Sequence, residues 1–259
     1  MSRVHAGLLT IVVALLAIGS AAAAGRAYRE VDFPTAGGIH AHADVYPAEG
    51  EGGTVIVLFH QAGWSRGEYR EIAPKLVSLG YRVMAVDQRA GKAVNGVRNE
   101  TNRRAQRKRM ATRYLDAYVD LLAALDYAHH TLQAEQVIVW GSSYSASLVF
   151  RLAAEQSERV AAVLSFSPGE YFRGQGTEFI QGYAKTVNVP VFVTSAKAER
   201  EKAKPIYDAV PAEKKILFTP ASLGQHGSRA LWERWGDNDV YWAAVTGFLT
   251  EYAPAAGNK

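Results

Sequence analysis

The stretch that decides the fold is Gln136–Ser145, which reads QVIVWGSSYS. Its β-branched and apolar run up to Trp140 is typical of a strand that is buried on both faces of a sheet. Small residues follow at once, and a helical apolar period begins at Tyr144. A strand that turns this sharply into a helix strains the central residue of the turn and exposes its side chain. Ser143 is therefore a candidate nucleophile, and the alternative is a Gly/Ser turn that only caps the helix.

Strands and helices alternate along the rest of the chain. An early segment, His40–Tyr46, alternates in polarity and predicts a half-exposed strand, paired antiparallel near a sheet edge. Buried strands separated by helices imply right-handed crossovers and a mostly parallel central sheet flanked by helices. The sequence thus predicts one α/β domain over residues 25–259. The other buried strands are predicted at Thr54–Phe59, Val83–Val86, Val160–Phe166, Val189–Thr194 and Lys215–Phe218, and the helices at Glu68–Leu79, Ala111–His129, Tyr144–Glu155, Glu201–Val210 and Asp237–Tyr252.

The composition is that of an ordinary globular protein, with 259 residues, 48% hydrophobic residues, a formal net charge of +4 and no cysteine. Such a chain is long enough to bury one large core. Without cysteine there is no disulfide framework, zinc finger, iron–sulfur ligation or thiol nucleophile. Any covalent catalysis must therefore use another nucleophile, such as a serine hydroxyl.

The first 24 residues have the features of a cleaved secretory signal peptide. Arg3 gives a basic start, Leu8–Ile18 is apolar, and small residues end the segment at Ala24. The apolar run is short for a helix that must cross about 30 Å of hydrocarbon. We expect a periplasmic or secreted mature protein with no stable membrane anchor, and an uncleaved anchor is the alternative.

The carboxyl ends of parallel strands form the binding crevice of such a fold, so the residues that follow each strand are candidates for function. A tight turn follows Phe59, and backbone N–H groups in such a turn can bind a tetrahedral oxyanion. We expect the N–H groups of Ala62 and Tyr144 to be these donors, and Gln61 and Trp64 to contact substrate. His60 is expected to bond within the turn rather than to act as a base.

A serine hydroxyl needs a base, usually histidine, and the histidine needs a carboxylate to fix its tautomer. His226 lies in a glycine-bracketed loop after the last buried strand and is the best base by position. Glu199 follows the strand that ends at Thr194, and its place between Ser143 and His226 gives the expected order of the three groups. Glu170, after the strand that ends at Phe166, is the reserve candidate for the acid.

Together these residues resemble the α/β-hydrolase family, over nearly the whole predicted mature chain. The turn at residues 141–145 resembles the Gly-x-Ser-x-Gly nucleophile elbow of that family, with Ser145 in place of the last glycine. The resemblance implies a hydrolase with a Ser143–His226–Glu199 triad that uses neither metal nor organic cofactor. Only residues 169–183 are available as a cap, which is similar to the compact branch of dienelactone hydrolases and small esterases.

The expected function is a secreted serine hydrolase that cleaves carboxylic esters or related acyl bonds, with a small-molecule ester as its substrate. Tyr171 and Phe172 belong to an aromatic stretch that either walls the acyl pocket or forms a cap cluster without a substrate role. The alternative function is that of a non-catalytic α/β-hydrolase-like binding protein, since fold alone does not imply turnover.

Two other features suggest different partners. The basic run over residues 102–113 lacks interleaved aromatic residues, so a solvated helix is expected and no nucleic acid partner. His40 and His42 share a strand face, but no third ligand is identifiable, so no metal site is expected.

Overall fold

The computed structural model describes residues 27–46 and 53–255. The predicted signal peptide therefore lies outside the described residues and stays a prediction. Within these two ranges, no helix is both long enough and apolar enough to cross a membrane.

An eight-stranded sheet with the spatial order β1-β2-β4-β3-β7-β8-β9-β10 forms the centre of the fold. The strands are β1 (Arg29–Pro34), β2 (His40–Tyr46), β3 (Thr54–Phe59), β4 (Arg82–Asp87), β7 (Gln136–Ser142), β8 (Ala162–Phe166), β9 (Val191–Thr194) and β10 (Lys215–Phe218), while β5 (Ala93–Val94) and β6 (Val97–Arg98) form a separate hairpin. Strands β3, β4, β7, β8, β9 and β10 run parallel, and β2 pairs antiparallel with β1 and β4. The mostly parallel sheet expected from the sequence is confirmed.

Helices cover both faces of the sheet, which explains the continuous apolar runs of the central strands. They are α1 (Ile72–Ser78), α2 (Glu100–Arg107), α3 (Tyr118–His130), α4 (Tyr144–Glu155), α5 (Phe179–Ala184), α6 (Arg200–Ala209) and α7 (Asn238–Tyr252). Alternate residues of β3 enter two different cores: Val55 and Val57 pack with α3, α4 and α6, while Ile56 and Leu58 pack with α1 and α7. Every residue of β3 is buried.

The predicted start of α1 at Glu68 is wrong. Residues 66–69 form a separate 3₁₀ turn in which Arg66, Glu68 and Tyr69 are all buried, and α1 begins only at Ile72. Helix α3 likewise begins at Tyr118 rather than at Ala111, because a separate 3₁₀ turn occupies residues 115–117.

The carboxyl ends of five parallel strands lie side by side. Phe59 of β3 pairs with Gly141 of β7, and Phe166 of β8 pairs with Thr194 of β9, which also pairs with Phe218 of β10. The chain leaves β3 toward β4 on one side and β7 toward β8 on the other, so the loops after β3 and β7 diverge. A crevice opens at such a switch point, and every predicted catalytic residue follows one of these strand ends.

Candidate active site

The turn at residues 141–145, called here the elbow, holds Ser143 in a strained conformation. Ser143 has φ 60° and ψ −120°, and its N–H donates to the carbonyl oxygen of Phe166 at 2.8 Å. Gly141 is required beneath it, because a Cβ there would lie 2.3 Å from the Ser145 carbonyl oxygen. A strained serine at the start of a helix is the geometry that exposes a nucleophile above a sheet.

Ser145 does more at the elbow than replace a small residue. Its buried hydroxyl accepts a hydrogen bond from the Ser142 N–H at 2.9 Å and donates to the Phe59 carbonyl oxygen at 2.7 Å. The hydroxyl therefore ties the elbow to the end of β3, a connection that a glycine could not make. Ser145 thus has a structural role at the position that is usually glycine in the Gly-x-Ser-x-Gly pattern.

We expect Ser145→Gly to lower the free energy of unfolding by about 2 kcal/mol, although it restores the usual residue of the pattern. The substitution leaves the buried Ser142 N–H and Phe59 carbonyl without this partner, and glycine is unfavourable in a helix. Urea unfolding of the parent, Ser145→Gly and Ser145→Ala measures the effect, and the alanine variant isolates the hydrogen bonds. A glycine variant as stable as the parent would contradict this role.

His226 and Glu199 meet above the ends of β9 and β10. The His226 Nδ1 lies 2.7 Å from Glu199 Oε1, and both side chains are partly exposed. Burial raises the pKa of Glu199, but the hydrogen bond and the charge of His226 outweigh it, so this pKa lies below its usual value. Glu199 is therefore ionised at neutral pH and orients the imidazole with Nε2 left for proton transfer.

The loop at residues 224–228, called here the histidine loop, lies directly against the elbow. Gly227 has φ 71°, and a Cβ there would lie 2.4 Å from Ser142 Oγ. The Ser228 N–H donates to Ser142 Oγ and the Gly227 N–H to Ser167 Oγ, both at 2.9 Å. These contacts bring the residue next to His226 against the residue next to Ser143.

The oxyanion loop, residues 60–64, contains the first of the two predicted oxyanion donors. Across the described part of the chain, neither the Ala62 N–H nor the Tyr144 N–H donates a hydrogen bond. Tyr144 is also the first residue of α4, where unpaired N–H groups favour a negative charge. Both amides are thus available, and their role as oxyanion donors stays a prediction.

His60 takes part in structure within the oxyanion loop. Its Nδ1 lies 2.8 Å from the Gln61 carbonyl oxygen, and its Nε2 accepts from the Gln88 N–H at 2.9 Å. Burial lowers the pKa of His60 to about 4, so the ring is neutral at neutral pH. With both ring nitrogens occupied, His60 bonds within and around the turn, as expected.

A cleft of about 770 Å³ is lined by Tyr171 and Phe172, together with Arg113, Tyr114, Leu115, Glu170, Arg173 and Gln175. The Tyr171 hydroxyl donates to the Ser167 carbonyl oxygen at 2.8 Å and lies within hydrogen-bonding reach of the Ser143 side chain. Burial raises the pKa of Tyr171 to about 12, so this hydroxyl keeps its proton at neutral pH. The aromatic stretch therefore reaches the candidate nucleophile.

The other two predicted substrate contacts lie outside the lining of this cleft. The Trp64 ring stacks on Trp232 with their centroids 5.2 Å apart. Gln61 is buried, and a Cβ on Gly227 would lie 2.9 Å from its Oε1. Gln61 thus lies against the histidine loop, and contact with substrate stays a prediction for both residues.

Glu170, the reserve candidate for the acid, forms hydrogen bonds with the first turn of helix α5. Its carboxylate accepts from the Ile180 N–H at 2.8 Å and from the Gln181 N–H at 3.0 Å. Residues 169–184 carry only this short helix between β8 and β9, so the cap is minimal. The geometry favours Glu199 as the partner of His226.

His42 does take part in a three-residue group with metal-ligand spacing, together with Glu30 and Asp44. Asp44 is fully buried, and its carboxylate is already paired with Arg66 at 2.9 Å and Arg70 at 3.0 Å. Two guanidinium groups supply the positive charge that a cation would bring, so this group is explained by ion pairing.

Glu68 is a buried acid at the site that sequence reasoning missed. Its Oε1 accepts from the Ser142 hydroxyl at 2.7 Å, and its Oε2 accepts from the Gln61 N–H at 2.8 Å. Desolvation raises its pKa to about 7, although these hydrogen bonds and the charge of Arg229 act in the opposite direction. In the sequence, Glu68 is only the first residue of a predicted helix over Glu68–Leu79, and nothing there marks it as a buried acid.

This raised pKa makes a prediction about stability. The folded protein holds the Glu68 proton up to about pH 7 while the unfolded chain loses it near 4.5, so this stabilisation is complete below 4.5 and is lost as the pH rises through 7. Relative to Glu68→Gln, the parent should lose about 3 kcal/mol of unfolding free energy between about pH 4.5 and 8. Urea unfolding across this range measures the difference, and parallel curves would contradict it.

The fold and the site together define an α/β hydrolase: a mostly parallel sheet, a strained serine after β7, and a histidine–carboxylate pair after β9 and β10. Residues 51–189 match the Hydrolase_4 family model, whose description is serine aminopeptidase, S33. Because this match covers more than half of the chain, the protein belongs to this family of α/β hydrolases.

Known proteins show similarity at two levels. Over 144 residues the chain is 31% identical to epoxide hydrolase B of Mycobacterium tuberculosis (strain H37Rv). The aligned segment covers 56% of this chain and 36% of that relative. The chain thus matches only about a third of that relative's length. An esterase of Pyrococcus furiosus superposes with a TM-score of 0.68 at 16% identity, covering 87% of this chain and 92% of that structure. A dienelactone hydrolase of Anabaena variabilis gives 0.67 at 16% identity, covering 87% and 99%. At these identities the solved structures establish the fold.

Proposed function

We propose that this protein is a serine hydrolase that cleaves carboxylic esters through an acyl-enzyme. The observation that carries the proposal is the 2.7 Å contact between His226 Nδ1 and Glu199 Oε1. The residue after His226, Gly227, lies against Ser142 in the elbow. A nucleophile, a base and an orienting carboxylate are the parts that acyl transfer needs. The family match and the esterase and dienelactone hydrolase folds are consistent with this chemistry.

The proposed reaction has two displacements. His226 Nε2 takes the proton of Ser143 while Oγ bonds to the carbonyl carbon, and the oxyanion is stabilised by the Ala62 and Tyr144 N–H groups. The imidazolium, stabilised by Glu199, then gives the proton to the leaving alkoxide as the ester C–O bond breaks. Water repeats the sequence on the acyl-enzyme, which releases the acid and restores Ser143.

The cleft lined by Tyr171 and Phe172 is the proposed acyl pocket. Tyr114, Tyr171 and Phe172 supply aromatic surface to it, and the Tyr114 ring stacks on Tyr144 with their centroids 4.7 Å apart. The same lining also carries polar and charged side chains, namely Arg113, Glu170, Arg173 and Gln175. We therefore propose as the substrate a small carboxylic ester whose acyl group packs on the aromatic side chains.

Reaction with a fluorophosphonate probe tests the proposal, because labelling needs an activated serine but not the natural substrate. Peptide mass spectrometry should find the adduct on Ser143, and His226→Ala should abolish it. An adduct on Ser142 or Ser167 instead would overturn the assignment of the nucleophile. A folded protein that takes no label would favour a binding protein of the same fold.

A further inference from the structure

We propose that the Glu68 carboxylate is a positioning residue that holds the oxyanion loop, the elbow and the histidine loop in one arrangement. The inference rests on the proposed serine-hydrolase function for its kinetic consequence. Its structural part, the linkage of three loops through one buried acid, can be tested without any substrate.

The first two loops bond to the carboxylate directly. Its Oε2 accepts from the Gln61 N–H at 2.8 Å, which fixes the peptide that precedes Ala62. Its Oε1 accepts from the Ser142 hydroxyl at 2.7 Å, one residue before Ser143. One carboxylate thus controls the placement of a proposed oxyanion donor and of the proposed nucleophile.

The histidine loop joins through the same serine. Ser142 Oγ accepts from the Ser228 N–H at 2.9 Å while its own proton goes to Glu68. A Cβ on Gly227 would lie 3.8 Å from Glu68 Oε1. The backbone of Glu68 adds a further link, since its carbonyl oxygen accepts from the Trp232 indole at 2.8 Å.

The ionised carboxylate matches the donors around it. Both oxygens accept from protein donors, one from Gln61 and one from Ser142. If Oε1 were protonated it would donate to Ser142 Oγ, which already accepts from Ser228, and the serine proton would lose its acceptor. A buried donor without a partner is costly, so protonation loosens the link between Glu68 and the elbow.

The burial of Glu68, more than the charges around it, sets the pH range of this change. Desolvation dominates and raises its pKa to about 7. The guanidinium of Arg66, on the same turn, is already paired with Asp44 and Asp87. The titratable and charged groups that face Glu68 are Tyr69 on its own turn, Arg229 after the histidine loop and Tyr144 at the elbow.

Hydrogen–deuterium exchange with mass spectrometry tests the linkage itself. Glu68→Ala should raise exchange in residues 60–64 and 224–228 together, while Glu71→Gln should leave both segments unchanged. Glu71 is a matched control, because it is exposed on the same stretch of chain and its carboxylate accepts from the Glu233 N–H. Faster exchange confined to residues 66–69 would overturn the proposal, whether or not the parent hydrolyses esters.

The pH profile of kcat/KM tests the kinetic consequence. Glu68→Gln keeps the shape of the side chain and should lower kcat by 10- to 100-fold with little change in KM, on the order of the cost of misplaced reacting groups. In the parent, protonation of Glu68 should bring the same loss, so log kcat/KM of the parent should fall more steeply than that of the variant as the pH drops through about 7, and the two profiles should converge at lower pH.

The outcomes separate the two proposals. A parent that neither hydrolyses esters nor takes the probe overturns the proposed function, and the exchange experiment still decides the linkage. An active parent with the same kcat and the same acid-limb slope in Glu68→Gln overturns the positioning role alone. A variant that loses activity only in proportion to unfolded protein, measured by its melting curve, also overturns it.

Discussion

Replacing Ser143 with alanine will lower kcat/KM for a small ester by roughly 10⁴-fold or more and leave the fold intact. In the proposed reaction, the Ser143 hydroxyl is the group of the elbow that forms a covalent bond to the substrate. Its loss leaves only substrate binding and the oxyanion donors. Hydrolysis of a p-nitrophenyl ester, with circular dichroism to confirm folding, measures the effect.

Ser167 is the matched comparison for this experiment. It also has φ 60°, and it follows β8 as Ser143 follows β7, but its hydroxyl accepts from the Gly227 N–H. Ser167→Ala should therefore have a smaller effect, through the histidine loop and through Glu199, whose carboxylate lies within hydrogen-bonding reach of the Ser167 hydroxyl. If Ser167→Ala were inactive and Ser143→Ala active, the nucleophile would be Ser167 and the elbow would be assigned wrongly.

The second large effect is expected for Glu199→Gln, with a loss in kcat of about 10³- to 10⁴-fold. The amide presents its N–H₂ group or its oxygen to His226 Nδ1, and an imidazole held in the wrong tautomer cannot take the serine proton. The charge that stabilises the imidazolium is lost as well. Steady-state kinetics at saturating ester separates kcat from KM.

Glu170→Gln is the control that distinguishes the two acids. Its carboxylate accepts from two N–H groups at the start of α5, so Glu170→Gln should lower the melting temperature. Its loss of kcat should be far smaller than that of Glu199→Gln. Equal losses of kcat in Glu199→Gln and Glu170→Gln would contradict the assignment of Glu199 as the triad acid.

The elements that the sequence predicts best are those buried on both faces. The bounds of β3 and α4 agree with the structure, because burial of β3 demands an unbroken apolar run and a strand-to-helix turn defines where α4 begins. Strand β1 was missed since its residues, REVDFP, are mostly exposed and carry no apolar run. A strand that adds to an edge needs few apolar side chains.

The site is harder to predict because part of it is backbone. The candidate triad could be placed from residue types and strand ends, but the choice between Glu199 and Glu170 depends on the course of two loops. Backbone donors such as the Ala62 N–H leave no mark in the side-chain sequence. Glu68 was missed for another reason: it was predicted to begin a helix, and the sequence does not distinguish a buried acid from an exposed one at that position.

The short cap has a consequence for how this enzyme scaffold can be changed. Residues 170–184 contribute Glu170, Tyr171, Phe172, Arg173 and Gln175 to the cleft and none of the proposed proton-transfer groups. Gly169, the residue just before this segment, is fixed by Ser147. The Ser147 hydroxyl donates to the Gly169 carbonyl oxygen at 2.7 Å and accepts from the Gly169 N–H at 2.9 Å. The segment is therefore an exchangeable module: grafting in a relative's equivalent, with Gly169 retained, would alter which acids are accepted while the chemistry stays on the sheet.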